Sequence, residues 1–228
     1  MLGIIGAMEI EIESLKKIMT DKKSDKIGNL EIITGKISGK DVCLSKCGIG
    51  KVNASVCAAA LILKYGADKI INTGVAGGIA PDSRVLDVYT ATGLIEHDFD
   101  LTSFGKKKGQ HDENDFLAYK PDMKISDKLY EIGKSKGFSV KKGIIVSGDQ
   151  FISDKEKSVL LNKDFDAAGV EMEGAAIAHT CYKLGVPFAV LRTISDSAND
   201  EAKTTFEENC AAAALISTDI LKECISEM

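Results

Sequence analysis

The stretch "LGIIGAMEIEIESLKKIM" (residues 2–19) contains one complete structural unit and an oddity at its middle. Its first part, "LGIIGAM", is a short continuous apolar run interrupted only by glycine, the pattern of a buried strand. In the second part Ile12, Leu15, Ile18 and Met19 recur at helical spacing. Between them stand Glu9, Glu11 and Glu13, at the point where a strand would hand over to a helix. The same strand, acid, helix order returns three more times: at "SGDQFI" (147–152), "VEMEG" (170–174) and "ISDSAND" (194–200). "LEIITGKI" and "KDVCLSKC" read as two strands of a hairpin around "SGK". Val52, Val56, Ala59, Ala60 and Leu63 mark a buried helix, followed by the strands "DKIINTGVA" and "SRVLDVYTATGLIEH". Residues 100–123 lack periodicity and form a long excursion, a length usually kept for function or an interface. A helix near 126–136, strand "SVKKGIIVSGD", helix near 154–162, short strand to Val170 and helix at 174–183 come next. The strand "PFAVLRTIS" and a final helix complete the chain. Such alternation predicts one α/β domain over residues 1–228, a three-layer α/β/α arrangement with a central mixed twisted sheet flanked by helices.

Bulk properties exclude several function classes. A formal net charge of −5 over 228 residues argues against nucleic acid as a partner, since phosphate binding wants a basic face. No stretch approaches the roughly 18 apolar residues of a membrane span. The opening "MLGIIGAM" has no signal-peptide pattern, so a cytoplasmic protein is expected. The six cysteines form no dense framework and read as buried free thiols in a reducing compartment. His97, His111 and His179 are not at ligand spacing to any cysteine pair, so no metal is expected.

Among the glycine motifs, "GIGKVNA" (48–54) follows a strand and opens a helix, yet Asn53 stands where a dinucleotide fingerprint has its third glycine. It also fails as a phosphate-binding P-loop, because Ser45 and Val52 occupy positions that need Gly and Ser or Thr. "TGVAGG" (73–78) either lets backbone approach a ligand closely or makes a tight turn between strands. Any single acid after a strand fits a helix N-terminus. Four such clusters at four strand ends would converge, because ligands in open α/β sheets bind beyond the carboxyl ends of strands. Carboxylates without a metal cage or a Ser-His-Asp signature suit glycosidic-type cleavage, one acid protonating the leaving group and another carboxylate activating water. Met8, Phe151, Met172 and Phe206 would supply apolar walls and a face for a flat base.

Taken in order, "GIIGAME", "CGIGKVNA", "INTGVAGG", "HDFDLTSFG", "VSGDQFI", "VEMEGAAIAH" and "RTISDSA" resemble the 5′-methylthioadenosine/S-adenosylhomocysteine nucleosidases of the nucleoside phosphorylase/hydrolase superfamily. The resemblance runs from residue 2 to at least residue 206, and seven ordered motifs make it specific. It implies a nucleoside phosphorylase-like fold, a nucleoside substrate, no cofactor and a homodimer. It also implies hydrolysis of methylthioadenosine and S-adenosylhomocysteine, with 5′-deoxyadenosine as a further substrate. By the same resemblance Glu11 activates the water that attacks the anomeric carbon, and Asp196 protonates N7 of the departing adenine. Glu173 grips the ribose hydroxyls and Met172 packs on the sugar, while Glu171 serves the turn or a ribose-side contact. Phe151 stacks on adenine and the Ile152 backbone reads its Watson–Crick edge. Met8, Ile49 and Phe206 line the ribose and 5′-thio pocket, and Arg192 and Ser195 orient the acid. Leu101, Phe104 and the excursion after them match the segment by which the family dimerises. One departure is Val75, where the family often has serine; it puts a side-chain contact in doubt but not the backbone turn. The rivals are a phosphorolytic nucleoside phosphorylase, a deoxyfutalosine-type hydrolase and a non-catalytic nucleoside binder. Phosphate would need arginines or an open helix N-terminus, and the segment after the first strand offers three glutamates instead.

Overall fold

The computed structural model of the protein describes residues 1–199 and 201–228. The chain runs β1 (Leu2–Gly6), α1 (Glu9–Ile18), β2 (Thr20–Ile27), β3 (Leu30–Ile37), β4 (Lys40–Lys46), α2 (Lys51–Leu63), β5 (Lys69–Gly78) and β6 (Val88–Glu96). Then follow α3 (Met123–Ser135), β7 (Val140–Ser147), α4 (Lys155–Phe165), β8 (Ala167–Glu171), α5 (Gly174–Leu184), β9 (Phe188–Asp196) and α6 (Ala202–Ser226). Strand β1 is buried throughout because it lies parallel between β4 and β5, which is what its apolar run requires. The expected hairpin is β3 against β4. Strand β2, "TDKKSDKI", carries no alternation because it is exposed on both faces. It sits at the sheet edge, where charged side chains discourage pairing with another chain.

The strand order is β2-β3-β4-β1-β5-β8-β7-β6-β9, and β9 pairs with β5 as well as with β6. That extra pairing closes β5, β8, β7, β6 and β9 into a ring. Alternation along the chain could not foretell this, because closure depends on the antiparallel pairings β5–β8 and β6–β9 between distant segments. Helices α1, α3 and α6 cover one side through Ile12, Leu15, Leu129, Ile132, Ile220 and Leu221. Helices α2 and α5 cover the other through Ala54, Cys57, Ala58, Leu61, Ala175 and Cys181. All six cysteines are free and buried. Among the described residues no helix is long and apolar enough to cross a membrane.

Two features position the site. The end of β5 leaves its parallel neighbours and meets β8 antiparallel at Gly77 and Val170. Across a bulge, Gly77 also faces Asp196 of β9. The segments after β1, β5, β7, β8 and β9 therefore empty into one crevice at strand carboxyl ends.

Candidate active site

The crevice is walled by Met8, Ile49, Val75, Phe151, Met172 and Phe206. Glu11, Glu171, Glu173, Ser195 and Asp196 add its polar groups. Ile152 lines a smaller recess that shares Phe151, Met172 and Asp196 with it.

Glu11 sits in the first turn of α1, and its carboxylate folds back over the start of its own helix. Its Oε2 accepts from the Ala7 and Met8 amides at 2.7 and 2.9 Å, and Oε1 accepts from the Val75 amide at 3.0 Å. Only glycine at position 74 allows this approach, because a Cβ there would overlap the Glu11 carboxylate and the Arg192 guanidinium. "TGVAGG" is thus a close-approach motif on the site. Burial pushes the Glu11 carboxyl above its ordinary range, against the opposing pull of Arg192 and the three amides. The amides occupy three of the roughly four lone-pair positions of a carboxylate, which leaves one for a water.

Arg192 is fully buried behind the crevice. Its Nη2 donates to Asn72 Oδ1 at 2.7 Å and to Glu171 Oε2, and lies 3.6 Å from Glu173 Oε2; Nη1 donates to the Val75 carbonyl at 3.3 Å. None of these partners is Asp196, so the expectation that Arg192 orients the acid is corrected. The bulge between Ile194 and Asp196 breaks the strand periodicity that would have put both on one face. Ser195 is the residue that touches the acid, donating from Oγ to Asp196 Oδ2 at 2.8 Å.

Glu171 is almost wholly engaged by protein. It accepts from the Glu173 and Gly174 amides at 2.9 and 2.8 Å, from Ser147 Oγ and from Arg192. It therefore caps the N-terminus of α5 and anchors Arg192. Glu173 is freer, with the Gly50 amide on Oε1 at 2.8 Å. Gly50 must be glycine, since its φ of +99° and a Cβ only 3.0 Å from Asp149 Oδ1 exclude other residues. Burial first, and then the Glu171 charge, push Glu173 up to about 8. Burial and the like charge of Glu171 beside it both favour the protonated form of Glu173.

That assignment fixes a pH dependence. The folded state holds the Glu173 proton more tightly than the unfolded chain, where the value is near 4.5. This contribution to stability is full below that value and is lost as pH rises through about 8. Gln at 173 keeps an oxygen for the Gly50 amide and never ionises. Thermal melts of Glu173→Gln and wild type should coincide near pH 5 and diverge by several degrees in favour of the variant at about pH 8.5. A difference that does not change with pH would remove Glu173 as the protonated member.

Asp196 is buried, with Oδ1 accepting from the Ala198 amide at 2.9 Å and Ser195 on Oδ2. Burial raises its affinity for a proton, and these two hydrogen bonds oppose it. Among the described residues no cation touches it. Phe151 and Phe206 meet edge to face at 5.9 Å across the mouth. The Val75 side chain packs with Met8, Phe206, Cys210 and Ala213, an apolar surface where a serine would have offered a hydroxyl, while its amide still serves Glu11.

Among the described residues of the four acidic clusters, Glu11, Glu171, Glu173 and Asp196 reach the crevice. Glu9 pairs with Lys16 and Lys46, and Glu13 with Lys17, at the surface. Asp149 Oδ1 accepts from the Lys51 amide at 2.8 Å and so caps α2. Asn72 was missed, although a lone carboxamide inside the apolar strand "KIINTGV" is itself a signal; it donates to the Ile5 carbonyl and accepts from Arg192. Among the described residues, side chains placed to share a cation are Glu96, His111 and His179, and none of them lines this crevice.

A model of the phosphorylase superfamily matches residues 1–226. The 5′-methylthioadenosine/S-adenosylhomocysteine nucleosidase of Haemophilus influenzae (strain PittEE) is 42% identical over 228 residues, covering 100% of this chain and 99% of the relative. The solved nucleosidase of the same name from Neisseria meningitidis, in complex with methylthio-immucillin-A, superposes with a TM-score of 0.97 at 37% identity, covering 100% of this chain and 99% of that one. Futalosine hydrolase of Helicobacter pylori strain 26695 superposes with a TM-score of 0.95 at 33% identity, covering 100% of this chain and 97% of that one.

Proposed function

The chain belongs to the phosphorylase superfamily and, within it, to the 5′-methylthioadenosine/S-adenosylhomocysteine nucleosidases, and from that membership we propose how its crevice works. The protein is an N-glycosyl hydrolase that releases adenine and the 5-substituted ribose from methylthioadenosine and S-adenosylhomocysteine. Glu11 takes a proton from the water held on its remaining lone pair as the water oxygen bonds to the anomeric carbon. The bond from that carbon to the base nitrogen breaks, and Asp196 delivers its proton to N7 so that adenine leaves neutral. Glu173 grips the ribose hydroxyls, Met172 packs on the sugar, and Phe151 stacks on the base beside the Ile152 backbone. Ile49, Met8 and Phe206 hold the 5′ substituent, and Ser195 keeps Asp196 aimed. Glu171 and Arg192 act from behind by fixing the turn and balancing charge.

The observation that carries hydrolysis over phosphorolysis is the charge of the crevice. The chain has two arginines, Arg84 and Arg192. Arg84 is exposed before β6, and Arg192 is enclosed by carboxylates, so no guanidinium faces the pocket to hold phosphate. Adenine release from both nucleosides should proceed at full rate in phosphate-free buffer, and a strict requirement for phosphate would reject the assignment. A panel of 5′-substituted adenosines and a deoxyfutalosine-type nucleoside in the same assay ranks the substrates. Preference for the latter would favour the futalosine-hydrolase reading, which the Helicobacter pylori neighbour keeps open.

The homodimer and the cytoplasmic location are part of the same proposal. Val52, Val56 and Leu63, expected to face the core, lie exposed along α2 instead, because the helix turns Ala54, Cys57, Ala58 and Leu61 inward; with Phe104 on the excursion, 81% exposed, they offer apolar surface suited to a second copy. Light scattering on Val56→Asp should report a monomer where wild type is a dimer; a monomeric wild type would end this part of the reading. Six unpaired cysteines suit a reducing compartment.

A further inference from the structure

His111 and His179 stand 15 and 83 residues from Glu96 in the chain, and the fold brings all three to one point. Glu96 ends β6, His179 lies on α5, and His111 comes from the excursion. His111 Nε2 and His179 Nδ1 both converge on Glu96 Oε1, at 3.1 and 3.0 Å. One ligand atom from each of the three side chains lies within 4.8 Å of the other two. We propose that these three side chains form a binding site for one divalent transition-metal ion of the zinc class, bound by His111 Nε2, His179 Nδ1 and Glu96 Oε1.

Four features carry this beyond a chance cluster. The two oxygens of Glu96 have separate tasks: Oε2 is held by Lys51 Nζ at 3.1 Å, and Lys51 in turn holds Asp98 at 2.7 Å. The metal-facing oxygen is therefore oriented from behind, and Lys51 need not leave. Each ring is fixed by stacking, His111 on Phe99 at 3.8 Å and His179 on Tyr119 at 4.8 Å. His179 Nε2 is buried without a hydrogen-bond partner, and Glu113 Oε1 lies 3.9 Å from it. Metal on Nδ1 would place the ring proton on Nε2, facing that carboxylate, which is the outer-shell arrangement typical of histidine ligands. Finally, two imidazoles and one carboxylate are the donor set of a three-ligand zinc site, whose ligand atoms sit about 3.3 Å apart once bonds of roughly 2.1 Å form. The two imidazole nitrogens stand 3.1 and 3.0 Å from Glu96 Oε1, so they move outward by a few tenths of an ångström to admit the ion, while the separation of the two nitrogens, at most 4.8 Å, closes. Glu96 and His111 are nearly buried and His179 is one-fifth exposed, which leaves a path for an ion.

The test uses the untagged full-length protein stripped with chelator. Calorimetry and elemental analysis with zinc chloride should show one ion per chain and a zinc-dependent rise in melting temperature. His111→Ala and His179→Ala should each abolish this binding, and Glu113→Gln, a surface change that leaves the fold alone, should weaken it about tenfold. Cobalt in place of zinc should give visible bands without a thiolate charge-transfer band. No bound zinc, wild-type zinc affinity in either histidine variant, or a thiolate signature from the cysteines would each overturn the proposal. None of these outcomes bears on the nucleosidase reading, because the cluster lies outside the crevice.

Discussion

Asp196→Asn should lower kcat about a thousandfold while leaving affinity for a non-hydrolysable methylthioadenosine analogue within a few-fold of wild type. The substitution removes a proton and little else. Asn at this position can still accept from the Ala198 amide with its oxygen. Its NH₂ group would face Ser195 Oγ, and a hydroxyl can turn from donor to acceptor. Ser195 would then aim its own hydrogen at the Ala76 carbonyl, already 3.4 Å away. Every polar atom therefore keeps a partner, and a buried carboxylate is replaced by a neutral group, so the melting temperature should hold or rise slightly. Binding and melting thus separate a lost acid from a damaged fold. Near wild-type turnover would show that another group protonates the base. Loss of affinity in proportion to loss of turnover would make Asp196 a binding residue.

The local part of this architecture was legible in the chain. Each strand with an unbroken apolar run lies inside the sheet, and each functional acid follows one, because burial and the strand-to-helix turn are encoded within about ten residues. What failed has a common cause. Ring closure, the aim of Arg192 and the cluster at Glu96 all depend on partners far away in sequence. Arg192 looked like a neighbour of Asp196, four positions on, but its carboxylates come from β8 and the start of α5. Strand β2 failed for the opposite reason: it buries nothing, so hydrophobic periodicity had nothing to mark. Asp149 had the right place after a strand and the wrong task, since a helix N-terminus competes for the same acids as a ligand does.

Glu11→Gln should also cost about a thousandfold in kcat, and its diagnostic feature is the pH profile. Catalysis needs Glu11 ionised and Asp196 protonated at the same pH, although both are buried carboxyls whose proton affinity is raised. Their surroundings divide the roles: Glu11 has three amides and a nearby guanidinium favouring its charge, whereas Asp196 has one amide, one hydroxyl and no cation. kcat/KM should then fall on the acid side as Glu11 gains a proton and on the alkaline side as Asp196 loses one, both limbs displaced upward from ordinary carboxylates. In Glu11→Gln the residual rate should lose the acid limb and keep the alkaline one, and in Asp196→Asn the reverse. The amide at 11 can serve only two of the three backbone donors well, setting its NH₂ against Val75, so about 1 kcal/mol of stability is at risk and the release of buried charge offsets it. Melting within a few degrees of wild type would therefore leave turnover as the informative quantity. Unchanged turnover, or an acid limb that survives in Glu11→Gln, would assign water activation elsewhere; a change confined to KM would make Glu11 a holder of the sugar.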